Sequence, residues 1–166
     1  MDITIRSARA DELDDIGELT ARAYLDDGLL DFGEADPYLE VLRAARHRAE
    51  HAEMLVAVDA ASDTVLGAVA FVGDGGEYAD LAVAGEGEFR MLAVRPAGRG
   101  RGAGEALVRA CVERARERGL HRVLLASSER MRVAHRLYGR LGFLRVPERD
   151  WEPIPGLTLL VFALEL

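Results

Sequence analysis

Three features of the sequence predict a mixed α/β fold in a single domain, residues 1–166. Short alternating apolar segments in the first half read as antiparallel hairpins. Strand and helix patterns alternate in the second half. Between them a glycine-rich turn leads an apolar strand into a long amphipathic helix. At 166 residues and 49% hydrophobic, the chain can bury one sizeable core and is too short for two. Its element order is too irregular for a doubly wound sheet of repeated βα units.

Ile3 and Ile5 alternate with polar neighbours as an opening strand. Asp11 to Leu25 follows as a helix, with Leu13, Ile16, Leu19 and Ala23 along one side and Asp11 in place to cap its start. An acidic, glycine-punctuated stretch from Asp26 to Asp36 leads to a second helical candidate, Tyr38 to Glu50. Met54 to Val58 and Val65 to Val72 form a hairpin about the turn Ala60 to Asp63. Gly73 to Gly87 breaks the pattern, with short extended structure around Leu81 and Val83, before Phe89 to Val94 resumes as a strand. The helix after the central turn, Gly102 to Arg118, carries Leu107, Val108, Cys111, Val112 and Ala115 on one stripe and Glu105, Arg109, Glu113 and Glu117 on its solvent face. Gly119 ends it, and Val123 to Ala126 is a short buried strand. Ser127 or Ser128 caps the next helix, whose inward stripe is Val133, Ala134, Leu137, Tyr138 and Leu141 and whose end is Gly142, with Phe143 packing beyond. Leu144 to Val146 extends briefly, Pro147 to Gly156 is loop, and Leu157 to Leu166 is an apolar strand.

The formal net charge is -8 and every basic side chain apart from histidine is arginine, a balance that opposes general electrostatic capture of nucleic acid. Cys111 is the only cysteine, which excludes an intrachain disulfide and a multi-cysteine metal site, and its place on the apolar stripe reads as a small buried hydrophobe. His47 and His51 are spaced i,i+4, but Arg48 follows the first of them, so the His-Glu-x-x-His arrangement is missing and no metal is expected. His121 and His135 read as surface residues. The first residues lack a signal-peptide core and no apolar run reaches membrane-spanning length, so a soluble cytoplasmic protein with no membrane partner is expected.

The run Val94-Arg95-Pro96-Ala97-Gly98-Arg99-Gly100-Arg101-Gly102-Ala103-Gly104 carries the chemistry. The first N–H groups of a helix have no intrahelical acceptor and point out of its positive end, so an anion can satisfy several at once. Glycines let the main chain come close to that anion, and Arg99 and Arg101 can add charge-assisted contacts. Read alone, the same run is also compatible with a flexible turn and solvated arginines. It lacks the Gly-x-Gly-x-x-Gly register, and the absence of lysine excludes a Walker-type loop, so a diphosphate ligand would sit in neither a Rossmann nor a P-loop site.

Arg99, Gly102 and Gly104 match the Arg/Gln-x-x-Gly-x-Gly/Ala signature of the Gcn5-related N-acetyltransferase (GNAT) superfamily, and Met91-Leu92-Ala93-Val94-Arg95-Pro96 is similar to the strand that enters that loop. A second block, Ala134 to Phe143, repeats the family's Ala, Leu-Tyr and Leu-Gly-Phe arrangement. The chain therefore resembles this superfamily from about Glu88 to Phe143. It departs at Met131, where many members carry asparagine to hold the pantetheine arm. The resemblance implies a mixed, mostly antiparallel, splayed sheet flanked by helices, with acetyl-CoA as acyl donor. Its diphosphate would rest on the backbone at Arg99, Gly100, Arg101, Gly102, Ala103 and Gly104, and its pantetheine would enter a gap between Phe89–Val94 and Val123–Ala126. An N–H among Leu92, Ala93 and Val94 would donate to the oxyanion.

The resemblance further implies Tyr138 as general acid to the departing thiolate, although periodicity alone also accommodates it as a core residue. Glu88 is the candidate base. It shares a strand face with Arg90, Leu92 and Val94 if no bulge intervenes, so pairing with Arg90 at a wet edge is the alternative, with Glu86 and ordered water as competitors for the role. The acceptor implied is an amine-bearing small molecule or peptide. Asp26, Asp27, Asp31, Glu34 and Asp36 can attract it or form a solvated loop, and Tyr24, Phe32, Tyr38 and Trp151 are either pocket walls or core. The resemblance leaves room for a homodimer, for transfer of another acyl group, and for a non-catalytic acyl-CoA-binding module.

Overall fold

The computed structural model describes residues 2–73, 79 and 81–166. The opening alternation becomes β1 (Ile3–Ser7), paired antiparallel with β2 (Glu53–Asp59), which turns into β3 (Val65–Val72). β3 pairs antiparallel with β4 (Glu86–Val94), and β4 runs parallel to β5 (Arg122–Ser128). The tail adds β6 (Leu144–Arg145), β7 (Trp151–Ile154) and β8 (Leu157–Glu165), giving one sheet in the order β1-β2-β3-β4-β5-β8-β6 with β7 on β8. β4–β5 is the parallel pair; the other pairings are antiparallel. This is the splayed mixed sheet expected.

Helices cover both faces, because β2 and β3 are apolar on both sides. α4 (Ala103–Glu117) lays Leu107, Val108, Cys111 and Ala115 on the face that presents Leu55, Val69, Phe71 and Phe89. α1 (Leu13–Asp26) packs Ile16 and Leu19 against Val56, Val58, Ala68 and Ala70 on the other. Cys111 is buried and its thiol is pushed well above the ordinary range by desolvation, as a core residue should be.

Several local expectations are corrected. Asp11 does not cap α1; the Glu12 carboxylate instead accepts the Arg9 N–H at 2.8 Å. The helix expected over Tyr38 to Glu50 breaks at Ala44 (ψ 53°) into α2 (Tyr38–Arg43) and α3 (Ala45–Ala49). The break lies where α1 and α2 touch. A Cβ on Gly17 would stand 2.2 Å from the Arg43 carbonyl oxygen, and Arg48 reaches back to donate to the Val41 carbonyl at 3.0 Å. β4 begins at Glu86 rather than Phe89, and Leu81 and Val83 belong to no strand; residues 74–78 and 80 of the same stretch lie outside the described residues.

Ser127 and Ser128 belong to β5, and α5 (Arg132–Arg140) starts after Met131 without a side-chain cap. A turn closed by the Met131 N–H on the Ser128 carbonyl sets that start. Val133 is 73% exposed and His135 half-buried, contrary to both readings, while Ala134, Leu137, Tyr138 and Leu141 keep the expected inward face. The expected loop from Pro147 to Gly156 contains β7, an edge strand on which Pro153 is tolerated because no further strand needs its missing donor.

Because the atom nearest a Gly17 Cβ is backbone rather than a flexible side-chain end, Gly17→Ala must push α1 from α2. We expect a loss of about 1–3 kcal/mol, read as a lowered urea midpoint with an unchanged slope.

Candidate active site

The central feature is a place where the sheet comes apart. β4 and β5 are paired at Glu86–Arg122, Gly87–Val123 and Glu88–Leu124, and no further. Beyond this point β4 stays with β3 as far as Val94, and β5 stays with β8 as far as Ser128. Among the described residues, Phe89–Val94 and Leu125–Ser128 are therefore not laddered to each other, and an amide-containing guest could pair with the strand edge between them.

A bulge shapes this edge. Between Arg90 and Ala93 the register against β3 gains one residue, and Met91 takes a left-handed φ of 57°, which costs a non-glycine residue about 1–2 kcal/mol. The bulge resolves the conditional expectation about the strand face. Leu92 and Val94 turn to the α4 side with Phe89, whereas Met91 and Ala93 pack on the α1–α2 side. Glu88 thus does not share a face with Leu92 and Val94.

The glycine turn follows the end of β4. Pro96–Gly98 forms a single 3-10 turn, then Gly100 (φ 74°) and Gly102 (φ 83°) adopt left-handed conformations that deliver the chain into α4. Among the described residues, none of the N–H groups of residues 100–104 makes a short, well-aligned hydrogen bond to a protein acceptor, although residues 99–102 are turn. The two arginines part company. Arg99 is half-exposed and lies 3.4 Å from Asp27 at the end of α1. Arg101 turns toward the β1–β2 edge of the sheet, where its guanidinium meets Asp2 at 2.7 Å and Asp59 at 2.8 Å. A cavity of about 220 Å³ beside the turn is lined by Arg22, Asp26, Val94, Arg95, Pro96 and Arg99.

Tyr138 stands at the base of the split. Its ring packs 6.0 Å from Phe89, 5.9 Å from Phe143 and 5.8 Å from Phe162 (centroid to centroid), and burial pushes its phenol well above the usual range, so it stays protonated. Both roles foreseen for it are compatible with this position. Tyr24 approaches from the α1 side, packed with Met91, and its phenol too is raised by burial.

Glu88 is 1% exposed and its Oε1 accepts the N–H groups of Leu81 at 2.9 Å and Ala82 at 3.1 Å. Glu86 is committed elsewhere. Buried at 3% exposure, it receives Arg149 and Arg122 guanidinium donors at 3.1 Å and the Val83 N–H at 3.1 Å, while Arg149 also donates to the Leu81 carbonyl at 2.6 Å. Two carboxylates and one arginine from the tail thus hold residues 81–83 against the lip of the split. The tail's contribution had no local sequence signal, since Arg149 lies 63 residues from Glu86.

The acidic stretch is not a bare anionic patch. Asp27 pairs with Arg99, Asp31 with Arg130 at 2.9 Å, and Asp36 accepts the Tyr38 N–H at 2.9 Å. Phe32 is largely exposed and Trp151 partly so. His121 is exposed as expected, whereas His135 bonds through Nε2 to the Ser127 hydroxyl at 3.0 Å and stacks near Phe162, with burial lowering its pKa. Met131 accepts the same hydroxyl on sulfur at 3.5 Å. His47, Glu50 and His51 gather exposed ligand-type atoms within 4.8 Å of one another, far from the split in sequence. Among the described residues no helix is long and apolar enough to cross a membrane.

The family model described as the acetyltransferase (GNAT) family matches residues 13–143. A comparison with curated proteins found no significant match. Among solved structures, the chain is similar to a GCN5-related N-acetyltransferase from Kribbella flavida, with 24% identity, a TM-score of 0.71 and coverage of 99% of this chain and 98% of that one. It is also similar to a ribosomal-protein-alanine N-acetyltransferase from Brucella melitensis (20% identity, TM-score 0.72, coverage 98% and 99%). A phosphinothricin acetyltransferase from Sinorhizobium meliloti, solved in complex with acetyl-CoA, is similar at 21% identity and TM-score 0.73, with coverage of 100% of this chain and 89% of that one.

Burial alone would raise the Glu86 carboxyl, but the bonds from Arg149 and Val83 and the charge of Arg122 outweigh it and hold the group below its ordinary 4.5. A folded-state value below the unfolded one means stability that is present above about pH 4.5 and lost as pH falls through the lowered value. Glu86→Gln should therefore cost about 1–3 kcal/mol at pH 7, and urea midpoints from pH 7 to 3 should converge with wild type at the acid end.

Proposed function

The chain belongs to the acetyltransferase (GNAT) family, and from that premise we propose that it is a cytoplasmic enzyme which moves an acetyl group from acetyl-CoA to a primary amine of a small molecule or peptide. One observation carries the reading: the sheet splits before a glycine turn whose N–H groups at residues 100–104 make no short, well-aligned hydrogen bond to a protein acceptor. The turn receives the diphosphate, with Arg99 as the side chain free to swing from Asp27 to the same anion. The open edge of β4 offers the pantetheine amides the strand partner that β5 no longer supplies.

The chemistry follows from what surrounds the split. A neutral amine attacks the thioester carbonyl carbon, forming a C–N bond and placing negative charge on oxygen. An N–H from Leu92, Ala93 or Val94, on the edge re-aimed by the bulge, donates to that oxygen. As the C–S bond breaks, Tyr138 gives its proton to sulfur; burial keeps the phenol protonated until that charge develops. Glu88 takes the amine's proton through an ordered water, because its Oε1 already accepts from Leu81 and Ala82. The 81–83 segment thereby fixes the orientation of the base.

An acetyl-CoA assay against amines, polyamines, amino acids and peptide N-termini should show thiol release that depends on the acceptor. Tyr138→Phe should lower kcat by about 10²–10⁴-fold with the Kd for CoA nearly unchanged. CoA binding without acceptor-dependent turnover would identify a binding module instead, and faster release from a longer acyl-CoA would change the donor.

A further inference from the structure

Resting on the cofactor site just described, we propose that Arg101 is a positioning residue: gripped by Asp2 and Asp59, its guanidinium holds the turn so that the N–H groups of residues 100–104 converge on the diphosphate, while the side chain itself never touches the ligand. Arg101 sits between two glycines in left-handed conformations, Gly100 and Gly102, neither of which has an atom within 4 Å of where a Cβ would stand. Such a segment has no packing of its own and many accessible backbone states. Ordering it when the ligand arrives would subtract from affinity, and a tether present beforehand removes that cost.

The tether is anchored at both ends. Asp59 closes β2 and accepts the Ala61 and Ser62 N–H groups on Oδ1, at 2.9 and 3.0 Å, leaving Oδ2 for Arg101. Its carboxyl is held at about 2, chiefly by the Arg101 bond, so it remains charged throughout the physiological range. Asp2 is locked to the same hairpin by the Ala60 N–H, which donates to its carbonyl at 2.7 Å. Both Arg101 and Asp59 side chains are largely covered, at 27% and 23% exposure, whereas the Arg99–Asp27 pair is about half exposed and longer. Of two arginines two residues apart, one is therefore available to an anion and the other is built into the sheet edge.

The competing role for Arg101 is a phosphate ligand parked on carboxylates, and the two roles predict opposite signs. Calorimetric titration with CoA of wild type, Asp59→Asn, Arg101→Met and the double variant separates them. Asparagine keeps the Oδ1 bonds to Ala61 and Ser62 and removes the charge. Tethering predicts that Arg101→Met weakens CoA by about 5–10-fold, that Asp59→Asn, which leaves the Asp2 contact, weakens it by no more than that, and that the double variant is no weaker than Arg101→Met alone, because Arg101→Met already cuts the link that Asp59→Asn removes. Arg101→Lys should recover part of the loss, and KM for acetyl-CoA should rise while kcat at saturation holds. Melting curves identify any variant that fails to fold, and Arg101→Lys then carries the test. Tighter CoA binding by Asp59→Asn, or a lowered melting temperature with unchanged affinity, overturns the proposal. Failure of wild type to bind CoA overturns the cofactor reading instead.

Discussion

The parting of β4 from β5 after Glu88 and Leu124 is the constraint on which the rest of the molecule depends. An interior sheet edge exposes main-chain donors and acceptors that are costly to leave unmade, so a fold that keeps such an edge must hold the strands apart by other means. Here the means are local and identifiable. The Met91 bulge adds twist to β4 just past the last paired residue, and the ring cluster of Phe89, Tyr138, Phe143 and Phe162 fills the base of the split. α4 then leaves from the end of β4 and covers its apolar face. The first N–H groups of the same helix, at Ala103 and Gly104, make no close bond to a protein acceptor.

Charge in this molecule works mostly at short range. The carboxylates at the mouth, Asp27 and Asp31, face Arg99 and Arg130, so the acidic stretch exerts a weaker long-range pull on a cationic acceptor than its composition suggests. Ion pairs instead tie together segments remote in sequence. Arg149 of the tail reaches Glu86, Arg101 of the turn reaches Asp2 and Asp59, and Arg95 joins Asp15 of α1. Guanidinium groups suit this, since each can bridge two acceptors at fixed angles, as Arg149 does between Glu86 and the Leu81 carbonyl.

Much of the fold was legible because it follows from periodicity. The stripe of α4, the β2–β3 hairpin and the stops at Gly119 and Gly142 stand where spacing put them. The GNAT resemblance was carried by residues that sit together at the split, the turn from Arg99 to Gly104 and the helix bearing Tyr138. Legibility failed where neighbouring elements outvoted local preference. The break at Ala44 reflects contact with Gly17, the start of α5 reflects the turn after β5, and β7 exists because β8 offers an edge. The placement of the bulge was equally hidden, since nothing in Glu86 to Val94 distinguishes a bulged strand from a regular one.

The sequence by itself determined the main helix and strand stretches, the glycine turn that joins β4 to α4, and which superfamily the central region resembles, because these depend on residue type and short spacing. Only the tertiary structure decided that Arg101 rather than Arg99 is bound into the sheet edge, on which side of β4 the residues after Glu88 lie, and that Glu86 and Glu88 anchor residues 81–83. The physical reason is that these outcomes depend on how the whole sheet packs: Arg101 and Glu86 meet partners tens of residues away, and even the short-range bonds of Glu88 to Leu81 and Ala82 need the 81–83 segment held in place.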